Sequence, residues 1–248
     1  MPYRAILFDL FETLVRFDRN RLPEVQLDGR VVRSTAGHLH GVLKSWAPAV
    51  TLEQLYAALL ESWQDAERRR DLEHREVPAI DRFRHLFRCL TLEPGACPPA
   101  VMHRLLEAHR GALCQAADFP AHHGPLLTDL AQRYRLAVVS NFDYSPTAVG
   151  ILSDAGVAEL FEAIVVSDEI GWRKPAPQIF EAALTRLGLP PGDALFVGDR
   201  PEIDVIGAQR LGIDTVWINR GAEPLPAGMK PPTFEIRDLA ELRGILIP

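Results

Sequence analysis

Two aspartates close short apolar runs: Asp9 ends AILFD and Asp199 ends ALFVGD. A third run, LAVVSN, ends in Ser140 and Asn141; Lys174 lies in RKPAP, and Asp204 follows Asp199 within GDRPEID. A carboxylate or hydroxyl at one such position reads as a cap on a strand-to-helix turn. Three of them at three strand ends, joined by a further acid and a lysine, read as a site. The physical reason is that an open parallel sheet binds ligands outside the carboxyl ends of its strands, near the point where strand order reverses.

These residues need strands to position them. AILFD (5–9), LAVVSN (136–141) and ALFVGD (194–199) are continuous apolar runs without alternation, as strands covered on both faces require. EAIVVSD (162–168) and TVWIN (215–219) follow the same pattern. Helical segments lie between them: Gly124 to Tyr134 with Leu126, Leu127, Leu130 and Ala131 on one face, Pro177 to Leu187 stopped by Gly188, and 204–211 stopped by Gly212. The βαβ rhythm predicts an α/β core, a Rossmann-like doubly wound parallel sheet built from residues 1–15 and 121–248. Residues 16–120 show no strand pattern. They carry amphipathic helices, one opened by a capping box at Thr51 and Gln54 with Leu52, Leu55, Tyr56, Leu59, Leu60 and Trp63 on one stripe. Ile80, Phe83, Leu86, Phe87 and Leu90 form a second stripe, and Val101, Leu105 and Leu106 a third, so an all-helical insertion is predicted there. The proline-rich stretch from Pro224 to Pro232 reads as a surface loop.

Composition narrows the function. The 248 residues carry a formal charge of −6, which argues against a nucleic-acid partner, because phosphate backbones demand clustered positive charge. The one basic run, Arg68 to Arg70, sits among Asp65, Glu67, Asp71 and Glu73 and reads as a solvated, salt-bridged helix face. Cys89, Cys97 and Cys114 form no CxxC pair and read as reduced thiols. No apolar run approaches the roughly 20 residues of a membrane span, and the N-terminus lacks a secretory pattern, so no membrane association and a cytoplasmic location are expected. The eight histidines show no HExxH or similar spacing, so dedicated zinc binding is not expected from the sequence. Nothing in the sequence sets an oligomeric state.

With these motifs in order, the chain resembles the haloacid dehalogenase superfamily of hydrolases over nearly its whole length. The matches are DLFET (Asp9 to Thr13), Ser140-Asn141, Lys174 in RKPAP, and GDRPEID with Asp199 and Asp204. The insertion at 16–120 falls where that family carries a C1-type helical cap domain. The resemblance implies that Asp9 is a nucleophile forming a covalent aspartyl intermediate that water resolves. It implies Mg²⁺ held by Asp9, the main-chain carbonyl of Phe11 and Asp199, with Asp204 in support. Lys174 would offset negative charge, and Ser140 with the backbone of Asn141 would donate hydrogen bonds to a phosphoryl or carboxylate oxygen. Thr13 would brace the loop or bond the nucleophile. The implied substrate is a small molecule, a small phosphorylated metabolite.

Phe11 departs from this pattern. Family phosphatases carry at that position a second aspartate that protonates the leaving alcohol, whereas the family's 2-haloacid dehalogenases carry tyrosine, because halide leaves without a proton. Phe11 therefore points toward dehalogenation, while Asp199 and Asp204 match the metal-binding, phosphatase-like fourth motif; a third reading is a catalytically impaired relative that binds a ligand through the old cleft. Substitutes for the missing acid include water, the substrate, Asp18, Arg33, His38, His40 and Glu12. The last stands where the family has glycine, and the period of an extended chain turns it away from Asp9.

Overall fold

The computed structural model describes residues 3–247, and the backbone packs into two compact units: the chain up to Phe17 together with the chain from Asp118 onward, and Asp18–Ala117. Along the chain, β1 (Ala5–Phe8) and β2 (Arg16–Phe17) come first. The Asp18–Ala117 unit then holds β3 (Glu24–Leu27), β4 (Arg30–Arg33), α1 (Ala36–Leu43), α2 (Leu52–Glu73), α3 (Ala79–Cys89) and α4 (Pro99–Ala116). From β5 (Ala117–Asp118) the order is α5 (His123–Ala131), β6 (Arg135–Ser140), α6 (Ser145–Asp154), β7 (Phe161–Val166), α7 (Ser167–Ile170) and α8 (Pro177–Leu187). The chain ends with β8 (Ala194–Gly198), α9 (Ile206–Gln209), β9 (Asp214–Ile218), β10 (Phe234–Ile236) and α10 (Leu242–Leu246).

Six strands of the first unit form one parallel sheet in the order β10-β9-β8-β1-β6-β7. Numbered as they occur among these six, this is the 3-2-1-4-5-6 order of a doubly wound sheet, with strand order reversing between β1 and β8. β1 and β8 are buried at every residue, which explains their unbroken apolar sequence. Ala5, Leu7, Ala137, Val139 and Phe196 of the sheet join Ile179, Phe180, Ala183 and Leu187 of α8 in one core layer. Each fully buried Leu, Ile or Phe there contributes roughly 1.5–3 kcal/mol. The predicted Pro177 to Leu187 helix forms with those limits and ends at Gly188 in the left-handed region (φ 58°). β10 escaped the sequence pattern because it is three residues long and only Ile236 is buried.

The Asp18–Ala117 unit is mainly helical, and the Thr51–Gln54 capping box is formed in both directions. Two expectations for it are corrected. First, it contains a strand pair: β3 and β4 form an antiparallel hairpin around Asp28 (φ 47°) and Gly29 (φ 74°), a two-residue Asp-Gly turn. Second, the basic run is not wholly solvated. Arg70 is buried, with Nε 2.8 Å from Glu76 Oε1 and Nη1 2.5 Å from Glu67 Oε1. The α2 stripe also buries less than its periodicity predicts, since Leu55 and Leu59 are buried while Leu60 and Trp63 are exposed. Among the described residues no cysteine forms a disulfide, and no helix is long and apolar enough to cross a membrane.

Candidate active site

Asp9 follows β1 and Asp199 follows β8, so the reversal of strand order sets the two carboxylates side by side. Ser140 ends β6, on the other flank of β1. The expected helix from 204 begins instead as a wide π-helical turn over Pro201–Val205 before α9, and this turn carries Asp204 inward, where it is buried. The Arg200 N–H donates to Asp204 Oδ2 at 3.0 Å. Carboxylate oxygens of Asp9, Asp199 and Asp204 lie within 4.8 Å of one another, close enough for one cation to bridge them.

Gly198 makes this approach possible. A Cβ there would fall 2.6 Å from the Asp204 Cβ and closer still to its carboxylate, so no side chain fits. Gly198→Ala is expected to displace the turn and cost about 1–3 kcal/mol, as overpacking does. Urea unfolding measures the loss, and binding of a divalent cation should weaken with it.

Lys174 is placed by a contact that no local pattern announces. Asn141 clamps its backbone from both sides, accepting the Lys174 N–H at Oδ1 (2.7 Å) and donating from Nδ2 to the Lys174 carbonyl (2.9 Å). The side chain is 3% exposed, and Nζ lies 2.5 Å from Asp9 Oδ1 and 2.8 Å from Asp204 Oδ1. It also sits 5.2 Å from the Phe196 ring centroid. Burial opposes its charge, but Asp204 and Asp9 more than offset that and hold its pKa above the ordinary value. The Asn141 side chain is thus a positioning group for Lys174.

Burial, with Asp204 alongside, lifts Asp9 to about 6 even against the pull of Lys174. Burial together with Asp9 and Asp204 lifts Asp199 to about 7. Without a cation both therefore hold protons more tightly in the folded than in the unfolded chain. Their contribution to stability is full below about pH 4, where the unfolded carboxyls titrate, and is lost as pH rises through about 6 to 7. In chelator, the melting temperature is expected to fall between pH 5 and pH 8, and Asp199→Asn to flatten that slope.

The hydroxyls of Ser140 and Thr13 are both buried and have no hydrogen-bond partner among the described residues. Ser140 is thus left with an uncommitted donor at the end of the strand next to β1, and Thr13 makes no bond to Asp9. Phe11 packs its ring against Phe142 (centroids 5.1 Å) and edge-on to Phe17 (5.9 Å). Glu12 is exposed, its backbone is left-handed (φ 57°) where the sequence predicts an extended chain, its Oε1 accepts the Phe17 N–H at 2.9 Å, and it lines one cavity with Asp199. That conformation costs a side-chain-bearing residue roughly 1–2 kcal/mol, the physical reason for glycine at this point of the turn. Arg33 pairs with Glu24 at 2.6 Å, Asp18 caps Asn20 at 2.9 Å, His40 Nε2 meets the Val50 carbonyl at 2.9 Å, and His38 is exposed. Three of these four are thus committed within their own unit.

Several supporting residues went unread in the sequence. Ser167 Oγ accepts the Phe142 N–H (2.9 Å) and donates to its carbonyl (3.0 Å), and Asp168 Oδ2 accepts the Ser145 N–H (2.8 Å), so the end of β7 braces the loop after Ser140. Their signal was the same polar ending on an apolar run. Trp217 Nε1 donates to the Asp199 carbonyl at 2.9 Å, and Arg220 donates to the Glu12 carbonyl. A cavity of about 490 Å³ beside Asp199 is lined by Trp217, Arg220, Glu202 and Glu223.

Among proteins of known sequence, the pyrimidine 5′-nucleotidase YjjG of Escherichia coli is 29% identical over 255 aligned positions, covering 99% of both chains. A phosphoserine phosphatase of Thermus thermophilus is 38% identical over 91 residues, but that match spans only 37% of this chain and 36% of the relative. The solved structure of the HAD-hydrolase YfnB of Bacillus subtilis, bound to magnesium, shares the fold with a TM-score of 0.61, at 24% identity over 99% of each chain. A family model for haloacid dehalogenase-like hydrolases matches residues 3–212. The reversal of strand order that sets Asp9 beside Asp199 thus lies within a shared family frame, and the chain belongs to the haloacid dehalogenase-like hydrolases.

Proposed function

We propose that this hydrolase is a Mg²⁺-dependent phosphatase of small phosphorylated metabolites, with Asp9 as its nucleophile. The observation that carries this reading is the gathering of three carboxylates, all within 4.8 Å of one another, two of them paired with one buried lysine. An all-oxygen donor set suits a hard divalent cation, and the two carboxyls, raised first by burial and then by their acidic neighbours, mark a site where a cation would favour the ionised forms. Asp9, Asp199, Asp204 and the Phe11 carbonyl would hold the ion. When bound it supplies the positive charge that keeps these acids ionised and offsets the charge on the phosphoryl oxygens.

Asp9 attacks phosphorus, forming an aspartyl phosphate as the ester P–O bond breaks; the leaving oxygen takes its proton from water. A second water attacks phosphorus, releasing phosphate and restoring the carboxylate. Lys174 orients Asp9 through its 2.5 Å ion pair, and the Ser140 hydroxyl is available to donate to a phosphoryl oxygen. One observation favours a second reading, hydrolytic dehalogenation: the apolar ring cluster around Phe11 offers no proton donor.

A panel of p-nitrophenyl phosphate, sugar phosphates, nucleoside 5′-monophosphates and 2-haloacids, each with Mg²⁺ and with chelator, separates the two. The expected result is phosphate release that chelator abolishes and added Mg²⁺ restores. Halide release indifferent to chelator would overturn the phosphatase reading.

A further inference from the structure

A second group of ligand-type side chains lies wholly within the Asp18–Ala117 unit. On α2, Glu61 and Asp65 are four residues apart and share a face; on α3, which packs against α2, His85 and Cys89 do the same. Donor atoms of Glu61, His85 and Cys89 all lie within 4.8 Å of one another, and His85 Nδ1 is 4.0 Å from Asp65 Oδ2. His85 and Cys89 are half-buried while Glu61 is exposed, so the cluster is open to an ion from solvent.

We propose that Glu61, Asp65, His85 and Cys89 form a structural zinc-type site that ties α2 to α3. Glu61, His85 and Cys89 supply three donors already gathered, and Asp65, 4.0 Å from His85, is the carboxylate that a bound ion would draw in as the fourth of a tetrahedral site. The sulfur and nitrogen donors select a borderline-soft dication over the Mg²⁺ suited to the all-oxygen set. With Asp65 drawn in, the ion has no open position for chemistry and stabilises the unit without acting on substrate. A reactive-cysteine reading does not fit, because burial and the Glu61 carboxylate raise the Cys89 thiol, the reverse of what a nucleophile needs. Arg68 and Arg69 approach Asp65 at 3.5 and 3.7 Å, long contacts between exposed arginines and a carboxylate, worth too little to keep it from a dication.

The test is a Co²⁺ titration of the full chain with Mg²⁺ in excess, so that the all-oxygen cluster is already filled. The expected result is a near-ultraviolet thiolate-to-cobalt band saturating at one equivalent, displaced by Zn²⁺, together with a Zn²⁺-induced rise in melting temperature. Cys89→Ser should abolish the band, whereas Cys97→Ser and Cys114→Ser should keep it. Glu61→Gln and His85→Ala, which retain the thiol, should weaken binding by at least about tenfold, the lower end of what even outer partners of a metal ligand contribute. A band that survives Cys89→Ser, affinity unchanged in both Glu61→Gln and His85→Ala, or no band at one equivalent would overturn the proposal. Should Cys89→Ser fail to fold, the last two variants decide.

Discussion

Replacing Asp9 with asparagine is expected to reduce turnover by several orders of magnitude, on the order of 10³ or more, while leaving the protein folded. The amide matches the carboxylate in shape and can still accept a hydrogen bond from Lys174, but it cannot become an acyl phosphate. Lys174 keeps Asp204 at 2.8 Å, so its buried charge is not orphaned and the fold should survive. Steady-state phosphate release gives the rate loss, and a melting curve confirms the fold. A rapid acid quench should trap a phosphoryl group on the wild-type chain and none on Asp9→Asn. Substantial activity in the variant would remove the covalent route from consideration.

Phe11→Asp should act in the opposite direction. If the missing general acid limits the rate, a carboxyl two residues after the nucleophile restores a proton donor to the leaving oxygen, worth about a hundredfold. The gain should be larger for alkyl phosphates than for p-nitrophenyl phosphate, whose leaving group scarcely needs a proton. The substitution also removes the ring that packs on Phe142 and Phe17, at a cost below the roughly 3–5 kcal/mol of truncating a fully buried Phe, because Phe11 is only half-buried. The melting temperature should therefore fall while kcat rises. A folded, Mg²⁺-binding Phe11→Asp protein with no gain on any phosphate ester would show that no proton is missing, leaving Phe11 as an apolar wall for the substrate.

The sheet and the placement of Asp9, Ser140 and Asp199 were legible in the sequence because both depend on local rules. A strand covered on both faces must be apolar throughout, so β1, β6 and β8 announce themselves, and the first polar residue after each marks the carboxyl end where ligands bind. The Asp-Gly turn of the β3–β4 hairpin was equally local, yet it lay among helical patterns and went unread. Lys174 was of another kind. RKPAP by itself would read as a surface loop, and only its company with the other motifs marked Lys174; its burial depends on an ion pair with Asp9 across 165 residues and on the clamp from Asn141, neither of which leaves a local pattern. The inward swing of Asp204 likewise needs the π-helical turn and the missing side chain at Gly198. For Glu12 a left-handed backbone (φ 57°) replaces the extended chain that the sequence predicts, and the rings around Phe11 were settled by Phe142, far along the chain. Solvent exclusion imprints itself on neighbouring residues, so the sequence alone determined where the buried strands of the sheet form and end. Charge pairing and close approach join residues distant in the chain, so only the tertiary structure decided which of these groups meet.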